Sequence, residues 1–131
     1  MNKGLFLIQE HDAVRAGLHW DIRFEKNDIL ESFVIPKHRL PKEKEQLLAV
    51  KVNDHSWDWQ FFEGKIGPGF GEGTVKCVFR DEVEMERIMD EEITKKIIFN
   101  YKGKKYQINK ASWMNNPNAY LIRKIGEVKE I

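Results

Sequence analysis

A single cysteine, Cys77, stands in this chain, so no internal disulfide can brace the fold. That usage suits a reducing compartment. Cys77 sits in a Val-Lys-Cys-Val-Phe run and reads as a small buried apolar residue. Long apolar runs are also lacking. Residues 4–8 (Gly-Leu-Phe-Leu-Ile) are too short for a signal peptide or a membrane span, so the chain reads as cytoplasmic, with no membrane partner. Nor does one sign of charge dominate: 22 basic and 21 acidic residues leave +1. No broad basic field can coat nucleic acid, and such a partner must be gripped locally. No repeat, low-complexity tract or linker divides the chain, which reads as one domain, 1–131.

What is present is alternation. Residues 18–25 (Leu-His-Trp-Asp-Ile-Arg-Phe-Glu) switch between apolar and polar without a break. On a strand, Leu18, Trp20, Ile22 and Phe24 then enter a core, and His19, Asp21 and Arg23 share the other face. Further strands are expected at 5–9, 29–35, 47–52, 74–79, 97–101, 105–108 and 119–123. Residues 26–28 and 102–104 are turn material, which makes hairpins of the flanking strands. Pro36 ends the third strand, and a helical turn is expected at 42–46 within the 36–45 loop. Residues 54–62 are aromatic and irregular. Residues 81–96 are ambiguous: Val83 and Met85 alternate like a strand, while Ile88, Met89 and Ile93 would share one helical side. Many short strands with turn signals point to an antiparallel barrel or sandwich.

Gly64, Gly67, Gly69, Gly71 and Gly73 precede the strand at 74–79. This loop lacks the Walker lysine-serine ending, and no helix pattern follows it. It reads as a tight backbone crossover or bulged turn rather than a nucleotide-phosphate cradle.

Alternate side chains on a strand stand about 6.5–7 Å apart, so His19 and Asp21 can converge on one ion between them. If the first two strands pair, His11 comes to the same spot. Two imidazoles and a carboxylate suit Mn²⁺, Fe²⁺ or Zn²⁺. The plain alternative is a polar face in water with weak ion pairs. Arg23 lies one step further along that face, and its planar fork matches two phosphate oxygens. His55, among aromatics, is either packed or returned to the site. Lys37 and His38 read as surface residues from their positions alone.

These residues carry a resemblance. The chain resembles the 3′-phosphoesterase domain of bacterial ligase D and its stand-alone archaeal and bacterial relatives. The matching stretches are 6–15 (Phe-Leu-Ile-Gln-Glu-His-Asp-Ala-Val-Arg), 18–25, 34–37 (Val-Ile-Pro-Lys), 48–55 (Leu-Ala-Val-Lys-Val-Asn-Asp-His), 62–75, and 120–123 (Tyr-Leu-Ile-Arg). The resemblance implies a mainly β fold, a compact antiparallel β-barrel with one or two short helices, and a groove holding a divalent metal, typically Mn²⁺. His11, His19 and Asp21 fall on its metal ligands. Arg23 and His55 fall on residues that hold or act on the phosphate, and Lys37 on the lysine serving the same site. The family removes a 3′-terminal ribonucleoside and then the 3′-phosphate, leaving a 3′-hydroxyl. The implied partners are DNA or RNA-DNA primer-template 3′ ends, with a separate ligase or polymerase.

The chain departs from the bacterial pattern in three places. Ala16-Gly17 read as an insertion between the two histidines, Trp59 stands where a tyrosine is common, and Asn53 replaces a common glutamate. Two other readings compete. A non-haem iron oxygenase would use His19, Asp21 and His55 as a facial triad, but it leaves Arg23 and Lys37 without a role. A non-catalytic barrel would bind nucleic-acid ends by stacking on Trp57, Trp59 and Phe61.

Overall fold

The computed structural model describes residues 2–128, and most of them are in strands. In chain order these are β1 (Asn2–Ala13), β2 (Gly17–Lys26), β3 (Ile29–Ile35), β4 (Gln46–Ser56), β5 (Gly64–Ile66), β6 (Gly73–Asp90), β7 (Ile93–Tyr101), β8 (Lys104–Lys110) and β9 (Ala119–Glu127). Every pairing is antiparallel. The order runs β1-β2-β3-β4-β9-β8-β7-β6, and β6 returns to β1, so eight strands form a closed ring. The expected antiparallel barrel is therefore the fold. No helix of the described residues is long and apolar enough to cross a membrane.

Period-two alternation builds the interior. Phe6 and Ile8, Ile22 and Phe24, Phe33 and Ile35, Ile97 and Phe99, Tyr106 and Ile108, and Tyr120 and Ile122 are each two apart, and all are buried in one cluster. Phe6 is central: its ring lies 5.0 Å from Phe24 and 4.7 Å from Phe99. Asn27 (φ 56°) and Lys102 (φ 48°) supply the positive φ that two-residue hairpin turns require.

Several expectations are corrected. The ambiguous 81–96 stretch is strand: β6 runs unbroken to Asp90, Glu91-Glu92 turn, and β7 follows. Ile88, Met89 and Ile93 are exposed, so they form no buried helical side. Residues 42–46 make a single turn, closed by the Glu45 amide donating to the Lys42 carbonyl (3.1 Å). The one helix among the described residues is a 3-10 helix at Trp57–Phe61, inside the segment read as irregular. Cys77 is half-buried rather than buried. Leu18 is 40% exposed, because it pairs with Asp12 near the hairpin tip, beyond the packed interior.

One carboxylate, Glu31, is wholly buried. It lies where β3 slips register against β4, between Leu30 and Ser32. It accepts hydrogen bonds from Lys51 Nζ (2.7 Å), Arg87 Nε (3.1 Å) and Thr94 Oγ1 (2.9 Å). Burial pushes its pKa up, but the Lys51 bond, the two cations and the Thr94 hydroxyl outweigh that and hold it below the usual 4.5. A carboxyl depressed in the folded state adds stability above its unfolded pKa, and this is lost as pH falls through the folded value. Glu31→Gln is therefore expected to lose about 3 kcal/mol at pH 7. Denaturant melts should show the gap to wild type narrowing on acidification below the ordinary value of 4.5. A gap independent of pH would refute this role.

Candidate active site

The β1–β2 hairpin sets His11 directly opposite His19 and Gln9 opposite Asp21. Their neighbours Ile8, Ile22 and Phe24 fill the interior, so Gln9, His11, His19, Asp21 and Arg23 face the outside of the ring. That outer face is not in water. His11, His19, Asp21 and Arg23 are 8%, 7%, 6% and 3% exposed, which removes the solvated-face alternative. A second apolar cluster outside the ring, Leu5, Leu7 and Leu30 with Trp59 against it, seats the 3-10 helix over this face.

One donor atom from each of His11, His19 and Asp21 lies within 4.8 Å of the others. His11 Nδ1 is 3.6 Å from Asp21 Oδ2, and His19 Nε2 is 3.5 Å from Asp21 Oδ1. The outer nitrogens are taken up by backbone: His11 Nε2 donates to the Gly71 carbonyl (2.8 Å) and His19 Nδ1 to the Gly17 carbonyl (3.1 Å). This partnering leaves His11 Nδ1 and His19 Nε2, the nitrogens nearest Asp21, as the ones that can ligate a cation. The contact with Asp21 raises the His19 pKa against the effect of burial. Burial pushes Asp21 up, but His19, Arg23 and His11 outweigh it and keep the carboxyl ionised. Three electron-pair donors converging on one point fit a divalent cation.

Arg23 is held beside them. Its Nε donates to Gln9 Oε1 (2.7 Å) and its Nη1 to Ser32 Oγ (2.8 Å). Nη2 makes no hydrogen bond among the described residues and lies 3.6 Å from Asp21 Oδ2. Burial lowers the Arg23 pKa to about 10, with Asp21 opposing, so the side chain stays charged at neutral pH. Gln9 is fully buried, and its Nε2 donates to the carbonyls of Trp59 (2.9 Å) and Phe62 (3.3 Å). It ties Arg23 to the covering helix. The sequence reading missed it, although it lies two residues from His11 on the same face.

β4 returns His55 to this place. Its Nδ1 is 3.2 Å from Arg23 Nη1 and 2.9 Å from the Asn53 carbonyl. One nitrogen cannot accept from the first and donate to the second, so the two partners select between tautomers. Burial, then the Arg23 charge, lowers the His55 pKa, which keeps the ring neutral at pH 7. His11, His19, Asp21, Arg23 and His55 line one open groove of about 960 Å³. Lys37 is exposed on the turn at 36–39 and does not line the groove. Of the three aromatics considered for stacking, Trp59 lines it, while Trp57 and Phe61 do not.

Residues 9–112 match the family described as DNA Ligase D 3′-phosphoesterase domain. The chain belongs to that family. The multifunctional non-homologous end joining protein LigD of Mycobacterium bovis is 29% identical over 126 residues, 95% of this chain and 16% of the relative. LigD of Mycolicibacterium smegmatis is 41% identical over 75 residues, 56% of this chain and 10% of the relative. LigD of Pseudomonas aeruginosa is 41% identical over 71 residues, 53% and 8%. The chain thus spans less than a fifth of these curated relatives.

In this ligase D phosphoesterase-family chain, the β1–β2 hairpin tip holds Ala16, one of the two residues read as inserted. Ala13 still pairs with Gly17, and residues 14–16 form the turn. Gly17 closes it with φ 77°. Ala16 lies beyond the last pair and Gly17 within it, and His11 and His19 stay opposite each other. Trp59 stacks on Phe62 (4.6 Å, 9°) and lies 5.3 Å from His55, so it offers the groove a ring and no hydroxyl.

Proposed function

We propose that this chain, acting as one domain, is a metal-dependent DNA 3′-end-healing phosphoesterase. It removes a 3′-terminal ribonucleoside and then the 3′-phosphate, leaving a 3′-hydroxyl. The observation that carries this reading is the convergence of two imidazoles and an ionised carboxylate beside a buried, charged arginine. His11, His19 and Asp21 would hold the cation, Mn²⁺ by the family resemblance. When bound, such a cation supplies charge neutralisation at a phosphoryl oxygen.

The chain's own groups then have distinct roles. Arg23 binds the phosphoryl group through Nη2, and Gln9 and Ser32 fix the guanidinium so that no reorganisation is needed. His55, neutral and with Arg23 donating to its Nδ1, carries its proton on Nε2 and hydrogen-bonds the leaving oxygen. Lys37 is assigned contact with the phosphate from outside the groove, across its flexible stem. Partners in this reading are DNA or RNA-DNA primer-template 3′ ends and a separate ligase or polymerase, and the setting is cytoplasmic.

Arg23→Lys is expected to lower turnover by about 100- to 1000-fold, because an ammonium cannot bond Gln9, Ser32 and a phosphate oxygen together. Steady-state kinetics on a 3′-phosphorylated primer would measure this, and near-wild-type turnover would contradict the role.

The oxygenase alternative needs His55 as a ligand. Its Nδ1 is instead turned to Arg23 and Asn53, and it is not among the three converging donors. The decisive test uses labelled primer-templates ending in a ribonucleotide or a 3′-phosphate. Shortening and dephosphorylation are expected with Mn²⁺ and should stop on chelation. Processing that survives chelation, or none with any divalent metal, would overturn the proposal. Undiminished binding without turnover would favour the non-catalytic barrel.

A further inference from the structure

Phe70 stands fully in solvent, more exposed than any other large apolar side chain described. The usual reason for such a ring, a floppy loop, does not hold here. The Glu72 amide donates to the Gly69 carbonyl (3.2 Å), and the Val14 amide on the β1–β2 turn donates to the Glu72 carbonyl (2.8 Å). The next residue, Gly71, accepts the hydrogen bond that orients His11. Positive φ at Gly69 (123°) and Gly71 (82°) turns the backbone on both sides of the ring. Phe70 also lines the same groove as the His11, His19 and Asp21 cluster. The backbone therefore holds an unpartnered aromatic face at the rim of an oxyanion site, one residue from a group bonded to that site.

We propose that Phe70 is the stacking platform for the base of the nucleotide whose 3′ oxygen carries the phosphoryl group. This rests on the phosphoesterase reading above and adds a positioning residue to it. Any nucleobase has a π-face, so the contact would hold the terminus without reading its sequence. Val14, 70% exposed and tied to the same loop, offers a second apolar contact from the hairpin tip.

The test compares wild type, Phe70→Ala, Phe70→Tyr and Phe61→Ala on a 3′-phosphorylated primer-template, and on the same primer with an abasic terminal nucleoside. Phe70→Ala is expected to raise KM about 5- to 100-fold, with the effect falling on KM rather than kcat. Phe70→Tyr should restore wild-type behaviour, since it restores the ring. Phe61→Ala should change nothing, because that ring lies outside the groove under Arg80. The abasic primer should impose the same loss on wild type and no further loss on Phe70→Ala. An unchanged KM for Phe70→Ala, or losses that add, would overturn the stack. Fluorescence anisotropy of the same primers separates the two failures. Wild type that binds ends without processing them refutes the phosphoesterase reading, whereas equal binding by wild type and Phe70→Ala refutes the platform.

Discussion

Asp21→Asn is expected to reduce Mn²⁺-stimulated release of 3′-phosphate by more than about a hundredfold, beyond what loss of an outer-sphere partner costs a metal site. The substitution keeps shape and size and removes the one negative charge among the converging donors. It also removes the group to which His11, His19 and Arg23 all lie within 3.6 Å. Two neutral imidazoles alone make a much weaker seat for a hard cation than two imidazoles and a carboxylate. The loss should appear as weaker metal binding in calorimetry as well as in turnover. Activity within a few fold of wild type at low Mn²⁺ would remove Asp21 from the cation's shell.

Gly73→Ala is expected to destabilise the fold by at least about 3 kcal/mol, and by a mechanism remote in kind from the first. A Cβ there would lie 2.1 Å from the Asp12 carbonyl oxygen and 2.8 Å from the Ala13 Cα, and Gly73 has φ 149°. Both obstacles are backbone, so neither can swing aside. Gly73 is paired with Ala13 where β6 meets β1, and the displaced Asp12 is next to His11. Metal affinity should therefore fall together with stability. Gly103→Ala is the matching control: its φ of 77° is also left-handed, but nothing lies within 4 Å of an added Cβ. That change should cost only about 1–2 kcal/mol. Equal thermal midpoints for the two variants would refute the steric argument.

The glycine-rich stretch reads as a tight crossover or bulged turn because it lacks the marks of a nucleotide cradle; in the fold it also holds the short strand β5, and the backbones approach most closely at Gly73. The strands were legible because side chains two apart in sequence must share a face, and the pairs at 22 and 24, 97 and 99, and 120 and 122 all enter the interior. Where period two fades, the reading faltered. Ile88, Met89 and Ile93 imitate a helical side only because β6 ends and the Glu91-Glu92 turn intervenes. The burial of the polar face was invisible for another reason. It depends on residues 53–72 folding back over β1 and β2, and no local pattern encodes that return. Gln9 stayed hidden because its role exists only once β1 and β2 are in register with Arg23. His55 was reached through its motif and not through spacing, since its approach to Arg23 spans 32 positions.

β1 is bonded along both edges, to β2 on one side and to β6 on the other, and it carries His11 and Gln9. To displace either residue, thermal motion must unzip two ladders at once, because β1, like each strand of the closed ring, has no free edge from which to fray. The floor of the His11, His19 and Asp21 cluster is thus assembled when the chain folds, and the loop that carries Phe70 is tied to the same hairpin through Val14 and Glu72.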